Sequence, residues 1–331
     1  MKTSNKIILI IVIIIEIVCI GIVSKILYIK KNLARTNSDP YIIPIKKEFI
    51  RFPLDTTLHY YYELQPNSQK EDDFSYMRLS GSVIHTINAD GLNEGKEYAV
   101  KAPPRTFRII SLGDSFTEGA FVETDKNYSQ VLENMLNTQL RCRDIDQYEV
   151  INLGVAGYDM QYNLERFKRK GMKYNPDLVI LWTDENDYVA NNEKYYELSS
   201  TWNPMTEAPE IVSMYKSEGD FAPEANAIWY QFNLLYKRND LITEELSYLR
   251  ELLSVYTGSV LIFSLQSIPK DIRQSIQLLI RNRNNTYFFP VVPSTYDKFP
   301  DNHPSPAGHE QFAQLLYKNI ADHGLIPCET E

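Results

Sequence analysis

The sequence predicts an α/β fold: a three-layer, doubly wound, mostly parallel sheet of five strands. Five short apolar runs are nearly continuous, as is typical of strands covered on both faces. Segments with the apolar spacing of helices separate these runs, and strands that alternate with helices form parallel sheets. The runs are FRIISLG at 107–113, YEVINLG at 148–154, LVILWT at 178–183, SVLIFSL at 259–265 and TYFFPVV at 286–292.

Helices are predicted between these strands and after the last one. One interval, residues 188–238, is far longer than an ordinary connection and predicts an insertion or a lid over the site. Its many aromatic residues either line a groove for a sugar or an acyl chain, or form the insertion's own small core. The predicted helices span about 126–141, 161–172, 239–256, 270–283 and 306–322.

The chain before the sheet divides into two parts. Residues 1–35 form an apolar segment with basic flanks, and residues 36–104 are predicted to be a linker and a small β-rich lead-in. The lead-in contains β-like pieces broken by Pro, Asn and Gly. These pieces are YIIPI, LHYYYEL and SVIHTIN, and residues 105–331 then form the domain that holds the sheet.

Residues 7–29 predict a transmembrane helix. They contain seventeen Ile, Leu or Val residues and one acid, Glu16. The apolar side chains favour insertion by about 5 to 10 kcal/mol, against about 3 kcal/mol for the carboxylate. A cleaved secretory signal is the alternative, although no A-x-A-like site ends the segment. A lipoprotein signal at Cys19 is weaker still, because no small residue precedes the cysteine.

Basic residues on the two sides of this span give little information on its orientation. Two lysines and the amino terminus precede the span, and four basic residues lie at its end or just after it, namely Lys25, Lys30, Lys31 and Arg35. We expect an uncleaved signal anchor with the large domain outside the cytoplasm, because a single N-terminal span is most simply used for export. Residues 36–331 carry 28 basic and 42 acidic side chains, so nucleic acid is not an expected partner.

Reactive side chains follow the predicted strands at the edge where such sheets bind ligands. Ser115 follows the first strand in LGDSFTEGA and is either a nucleophile or only the N-cap of the next helix. Gly157 follows the second strand in NLGVAGYD, and Asn186 follows the third in TDENDY. The last loop, PDNHPSPAGH, brings Asp301 and His303 just before a helix.

In this order, the four blocks GDSFTEG, NLGVAG, DEND and DNHPSPAGH resemble those of the SGNH, or GDSL-type, esterase and acyltransferase superfamily. The resemblance covers roughly residues 84–325 and includes the preceding INADGLNEGKEY, which is similar to the lead-in of one bacterial subgroup. It implies a flavodoxin-like strand order and serine esterase chemistry.

The resemblance also implies roles for five residues. Ser115 would attack an acyl carbonyl, His303 would take its proton, and Asp301 would orient and stabilise the imidazole. The backbone N–H groups of Ser115 and Gly157 and the side-chain amide of Asn186 would form the oxyanion hole. Each such donor contributes about 3 to 4 kcal/mol to the transition state in measured cases.

Two positions depart from the family pattern. Asp184 stands where the third block usually begins with Gly, and it adds negative charge near the hole or points away from it. The last block often has Asp three residues before His, but Asp301 precedes His303 by two. Asp297 is the substitute if Asp301 cannot reach the imidazole. Asp114, Asp187 and His309 are expected to be structural.

The sequence therefore predicts a membrane-anchored ester hydrolase that removes an O-acyl group from an extracytoplasmic glycan, lipid or small ester, without a cofactor. Three alternatives remain: an O-acyltransferase on the same scaffold, a non-catalytic envelope binding or scaffolding module, and metal-assisted hydrolysis. The sequence makes no prediction of the oligomeric state. Candidate metal ligands are Asp184, Glu185, Asp187, Asp301, His303 and His309.

Cys142 and Cys328 are the cysteines outside the apolar segment. In the flavodoxin-like order, the first and last helices share one face, so these cysteines follow helices that end on the same side. A disulfide in an oxidising compartment and two free thiols are both compatible with the sequence. A disulfide would contribute about 4 to 5 kcal/mol in the chain-entropy model.

Overall fold

The structure, a computed structural model, describes residues 53–220 and 222–328, which form two sheets and a series of helices. The strands are β1 (Ser68–Asp73), β2 (Ser82–Ile87), β3 (Thr106–Leu112), β4 (Gln147–Asn152), β5 (Leu178–Trp182), β6 (Ser259–Leu265) and β7 (Thr286–Val292). The α-helices are α1 (Ser115–Glu118), α2 (Tyr128–Gln139), α3 (Met160–Arg166), α4 (Asn186–Val189), α5 (Asn192–Thr201), α6 (Pro204–Glu207), α7 (Pro209–Ser217), α8 (Pro223–Leu235), α9 (Arg238–Val255), α10 (Lys270–Ile280) and α11 (Pro306–Asp322).

The central sheet has the order β4-β3-β5-β6-β7, and every neighbouring pair is parallel. This confirms the predicted doubly wound sheet of five strands. Successive side chains of a strand point to opposite faces, so β3 places Ile109 in one apolar layer and Ile110 in the other. The strands are apolar throughout because helices cover both faces.

The strand order reverses between β3 and β5, and ligands of such sheets bind in the crevice at this point. Ser115 follows β3 and Asn186 follows β5, while Gly157 follows the neighbouring β4. Asp301 and His303 lie in the loop before α11. The topology alone therefore brings the five predicted site residues to one edge of the sheet.

The lead-in contains an antiparallel hairpin, in which β1 pairs with β2 from Ser68↔Ile87 to Asp73↔Ser82. The predicted strand in SVIHTIN is confirmed as β2, but the β-like interpretation of LHYYYEL at 58–64 is wrong. That segment is irregular, because its tyrosines pack in a cluster with Tyr158 and Tyr162 rather than on a sheet. Its backbone N–H groups at His59 and Tyr60 donate to the carboxylate of Glu193. The YIIPI segment lies outside the described residues.

The interval 188–238 is helical where the structure describes it. It holds the end of α4 and the helices α5 to α8, and three of these begin with proline in the first turn. Phe232 and Leu198 form a small core with the partly buried Tyr195, Trp202 and Trp229. Most of the insertion's aromatic residues thus pack against one another, and Phe221 lies outside the described residues.

The apolar segment 7–29 also lies outside the described residues. Within residues 53–220 and 222–328, none of the helices has the length and apolar character needed to cross a membrane. The domain boundaries predicted at residues 35 and 104 stay predictions.

Cys142 and Cys328 form a disulfide, with their Cα atoms 5.0 Å apart. Helices α2 and α11 contribute to the same apolar layer, for example through Leu136 and Ile320. The cysteines follow these two helices, so the shared face brings them together. Of the two possibilities that the sequence allowed, the structure has the disulfide.

Candidate active site

The N-cap of α1 is Asp114, not Ser115. The Asp114 carboxylate accepts a hydrogen bond of 2.9 Å from the Phe116 N–H, as expected for a capping side chain. Ser115 is the first helical residue, and its Oγ lies 2.8 Å from Nε2 of His303. The capping interpretation of Ser115 is therefore wrong, and its hydroxyl is available to the histidine.

The second nitrogen of the imidazole meets Asp301. Nδ1 of His303 lies 2.7 Å from the Asp301 carboxylate, which also accepts the His303 backbone N–H at 3.1 Å. Burial alone would raise the pKa of Asp301, but the hydrogen bonds from His303 outweigh it and hold this pKa below its ordinary value. Asp297, the substitute, instead accepts a hydrogen bond from the Ser305 hydroxyl.

Two aromatic rings flank the imidazole of His303. The ring centroids of Phe116 and Phe121 lie 5.6 Å and 5.1 Å from that of His303. Phe121 has a φ of 65°, which is uncommon for a residue with a side chain. Its backbone N–H donates to the Asp72 carboxylate of β1 at 3.0 Å. The lead-in hairpin thus supports a strained residue that packs against the histidine.

The loop after β4 packs closely against α1. A Cβ atom at Gly154 would lie 2.3 Å from the backbone nitrogen of Glu118, so only glycine fits this position. The buried Glu118 carboxylate accepts the Ala156 N–H at 2.5 Å and also binds the Lys70 ammonium group. Gly157 has a φ of 80° and lines the cavity beside Ser115.

Asn186 begins α4, and its exposed side chain lines the same cavity. Its backbone N–H donates to the Asp184 carboxylate at 2.6 Å, and the Asp184 N–H donates to the Asp187 carboxylate at 2.8 Å. Asp184 thus caps the turn that presents Asn186, and Asp187 holds this turn from the other side. The side chain of Asp184 also lines the cavity.

Three of the carboxyl groups near Ser115 have raised pKa values. Burial, and next the nearby Asp184, raise the pKa of Asp114 to about 7. Burial is also the main cause that raises the pKa of Asp184 and of Asp187. These groups therefore hold protons at a pH where exposed carboxylates are ionised, and the site is less negative than its composition suggests.

The site residues surround a cavity of about 680 Å³. Beyond Ser115, its walls carry amide and carboxyl side chains and a few aromatic rings, and the described residues that line it include no lysine or arginine. Trp229 also lines the cavity, and its ring stacks on Tyr195 at a centroid distance of 4.2 Å and an angle of 26°. The lining residues include Asp159, Asp184, Asn186, Asn192, Asn226, Trp229, Asn233, Tyr296 and Asn302.

The contacts of His309, another candidate metal ligand, are those of a packed side chain. His309 is fully buried, its Nδ1 accepts the Tyr128 N–H at 3.2 Å, and burial lowers its pKa to about 3. It is a packed histidine, as expected. Among residues 53–220 and 222–328, no group of three His, Cys, Asp or Glu side chains is arranged to hold a metal ion.

Sequence reasoning missed several residues that build the site. Glu118 lies within the GDSFTEG block, so its position was visible in the sequence although its contact with Ala156 was not. Tyr62 donates its hydroxyl to the Ala156 carbonyl at 2.5 Å across 94 positions of chain, and no local pattern indicates this contact. Asp72 lies in a polar strand that lacks the usual alternation of strands.

A family model for GDSL-like lipase/acylhydrolase proteins matches residues 109–316. No curated protein matches the sequence.

Three similar solved structures share 13 to 16% identity with this chain. They include a protein named TesA (13% identity, 66% of this chain, 99% of the other, TM-score 0.41). A second is a two-domain esterase active on acetylated mannans (13% identity, 68% of this chain, 51% of the other, TM-score 0.40). An aryl esterase of M. smegmatis is a third (16% identity, 65% of this chain, 99% of the other, TM-score 0.38).

The family model spans more than half of the chain, including Ser115, Gly157, Asn186 and His303. The chain therefore belongs to the GDSL-like lipase/acylhydrolase family, also called the SGNH superfamily, and is an ester hydrolase.

Proposed function

We propose that this ester hydrolase cleaves O-acyl esters through an acyl-serine intermediate on Ser115. One observation carries the proposal: Ser115 Oγ, both ring nitrogens of His303 and the Asp301 carboxylate form one continuous chain of hydrogen bonds. A serine hydroxyl is a weak nucleophile unless a neighbouring base removes its proton. His303 is that base, and Asp301 fixes the tautomer that leaves Nε2 free to accept it.

The reaction follows from these positions. Ser115 Oγ bonds to the acyl carbon while its proton passes to Nε2 of His303, and the carbonyl oxygen becomes an oxyanion. The Ser115 and Gly157 N–H groups and the Asn186 amide donate to this oxyanion. When the carbon–oxygen bond of the ester breaks, His303 returns the proton to the leaving alcohol. Water then repeats the sequence on the acyl-serine and releases a carboxylic acid.

The substrate that the cavity fits best is a hydroxyl-rich glycan carrying a short acyl group. Amide side chains donate to and accept from hydroxyl groups, and α8 presents Asn226, Trp229 and Asn233 on one face towards the cavity. The aromatic ring of Trp229, which lines the cavity, suits the apolar face of a sugar ring. A long acyl chain would need an extended apolar wall, and the described lining residues offer no lysine or arginine to an anionic substrate.

We place the domain outside the cytoplasm, anchored by residues 7–29. The apolar segment supports the anchor, and the disulfide between Cys142 and Cys328 supports an oxidising compartment. An extracytoplasmic site gives access to envelope or secreted glycans.

The proposal is tested with the full chain in detergent, assayed on an aryl acetate and on an acetylated oligosaccharide. We expect wild type to release acetate, Ser115→Ala to release none, and a chelator to have no effect. Activity in Ser115→Ala that a chelator abolishes would contradict serine chemistry. An acylated acceptor formed in excess of free acetate would show acyl transfer, and a folded wild type without turnover would show a binding module.

A further inference from the structure

The loop that presents Gly157 is a tight turn, and the orientation of its central peptide plane determines the type of the turn. The Tyr158 N–H donates to the Val155 carbonyl at 3.2 Å, which closes a four-residue turn. Gly157 is its third residue, and its φ of 80° is that of a type II turn. Types I and II differ in the orientation of the central peptide, here the one between Ala156 and Gly157.

The two polar ends of this peptide point in opposite directions because the peptide bond is planar and trans. The Ala156 carbonyl accepts the Tyr62 hydroxyl at 2.5 Å. The Gly157 N–H is therefore directed away from Tyr62, and Gly157 lines the cavity that holds Ser115. A type I turn would reverse this peptide and turn the carbonyl oxygen towards the developing oxyanion.

Tyr62 is itself held in place. Its ring makes edge contacts with Tyr158, Tyr162 and Tyr196, at centroid distances of 5.4, 5.9 and 6.1 Å. A Cβ atom at Gly157 would lie 2.8 Å from the Tyr62 hydroxyl oxygen, so the hydroxyl closes the space beside the turn. Burial raises the pKa of Tyr62 well above its ordinary value, so the hydroxyl remains a donor.

We propose that Tyr62 is a positioning residue of the oxyanion hole: its hydroxyl holds the Ala156–Gly157 peptide in the orientation that directs the Gly157 N–H to the substrate oxygen. This inference rests on the proposed acyl-serine mechanism. It makes Tyr62, in the irregular lead-in, a part of the active site, although the family match begins only at residue 109.

The neighbouring contacts explain why Tyr62 matters in particular. Glu118 binds the Ala156 N–H, and Asn192 donates to the Gly157 carbonyl at 2.7 Å. Both of these groups lie outside the central peptide, so neither contact fixes its rotation. Tyr62 is the partner of the central carbonyl itself.

The test compares Tyr62→Phe with Tyr60→Phe in the full chain. Each variant removes one hydroxyl from the same segment, but the Tyr60 hydroxyl is 3.4 Å from Ser200 Oγ and is not bonded to the turn. We expect Tyr62→Phe to lower kcat on an aryl acetate by about 10- to 100-fold, with KM changed less than about 3-fold. Tyr60→Phe should match wild type.

A thiono ester substrate allows a second measurement, the ratio of the rates on the oxygen ester and on the thiono ester. A general structural defect would not change this ratio. The sulfur of the thiono ester replaces the carbonyl oxygen and accepts hydrogen bonds poorly, so an intact oxyanion hole favours the oxygen ester. We expect the oxygen-to-sulfur rate ratio of Tyr62→Phe to fall about 5-fold or more below that of wild type.

The outcomes separate this inference from the function on which it rests. If wild type does not turn over the ester, the proposed function fails. If wild type is active, Ser115→Ala is inactive, and Tyr62→Phe has the kcat and the rate ratio of Tyr60→Phe, the positioning role is overturned. A Tyr62→Phe chain that does not fold also overturns it, because the hydroxyl would then be needed for the fold.

Discussion

The Asp301 carboxylate lies 2.7 Å from Nδ1 of His303, although a single residue separates the two in the chain. Asn302, the residue between them, has a φ of 73°. Asparagine tolerates this left-handed conformation better than most residues. The resulting reversal of the chain lets a carboxylate two positions before the histidine reach its ring, so the short spacing in this block does not prevent the contact.

Replacing Asp301 by asparagine should therefore impair catalysis far more than the same change at Asp297. Asp301→Asn keeps the size of the side chain but removes the charge that stabilises the imidazolium, and we expect kcat to fall by about 1,000-fold or more. Asp297→Asn alters only the contact with Ser305 and should keep kcat within about 3-fold of wild type. Steady-state kinetics on an aryl acetate measure both, and equal losses in the two variants would refute this assignment.

The buried carboxyl groups beside Ser115 should make stability depend on pH. The pKa of Asp114 is raised to about 7, so between about pH 4 and pH 7 the folded state holds a proton that the unfolded state has lost. The free energy of unfolding therefore falls as the pH rises through this window. Replacing Asp184 removes the charge that contributes to the raised pKa.

We expect Asp184→Asn to be more stable than wild type at pH 8 by about 1 kcal/mol, with a smaller difference at pH 5. The asparagine oxygen can still accept the Asn186 N–H. Denaturant unfolding at the two pH values measures this effect. Glu185→Gln, at the neighbouring exposed acid, is the control and should show little change. A variant less stable than wild type at pH 8 would show that the Asp184 charge is favourable.

The disulfide should contribute strongly to stability without affecting the chemistry. The bonded cysteines are 186 positions apart, and the chain-entropy model gives about 5 kcal/mol for a loop of this length. We expect the Cys142→Ser, Cys328→Ser double variant to lose about this much free energy of unfolding and to keep wild-type kcat. Unfolding by denaturant measures this loss of stability. Wild type in reducing buffer, in which the disulfide is reduced, gives a second measurement of the same loss. Unchanged stability in both would contradict the prediction.

Trp229 should determine the use of glycan substrates but not of small esters. Its loss removes an aromatic ring that lines the cavity, so Trp229→Ala should raise KM for an acetylated oligosaccharide by about 10-fold. KM for an aryl acetate should change less than about 3-fold. Tyr230→Ala is the matched control, because Tyr230 is the next residue of α8, is exposed and does not line the cavity. Equal effects of Trp229→Ala on both substrates would argue against a sugar subsite.

Much of the sheet and of the candidate site could be predicted because both depend on local patterns. Strands buried on both faces must be apolar, so FRIISLG and LVILWT were recognisable, and their carboxyl ends necessarily converge. The strand SQKEDD was not recognisable, since it pairs in a hairpin whose side chains are mostly solvated. The insertion's helices did give a local signal, because Pro204, Pro209 and Pro223 each stand in a first turn.

Contacts between distant parts of the chain could not be predicted. The choice between Asp301 and Asp297 depends on the backbone of Asn302, which spacing alone does not reveal. The contact of Tyr62 with Ala156 joins the lead-in to the second block, and it depends on how the tyrosine cluster packs.

The central claim is that Ser115 is the nucleophile and that His303 activates it. The most direct measurement is the intact mass of the full chain after treatment with a fluorophosphonate, followed by mapping of the modified peptide. The account predicts one adduct, on Ser115, formed at a rate that falls by at least about 1,000-fold in His303→Ala. An adduct on another residue, or unmodified protein that still hydrolyses ester, would contradict it.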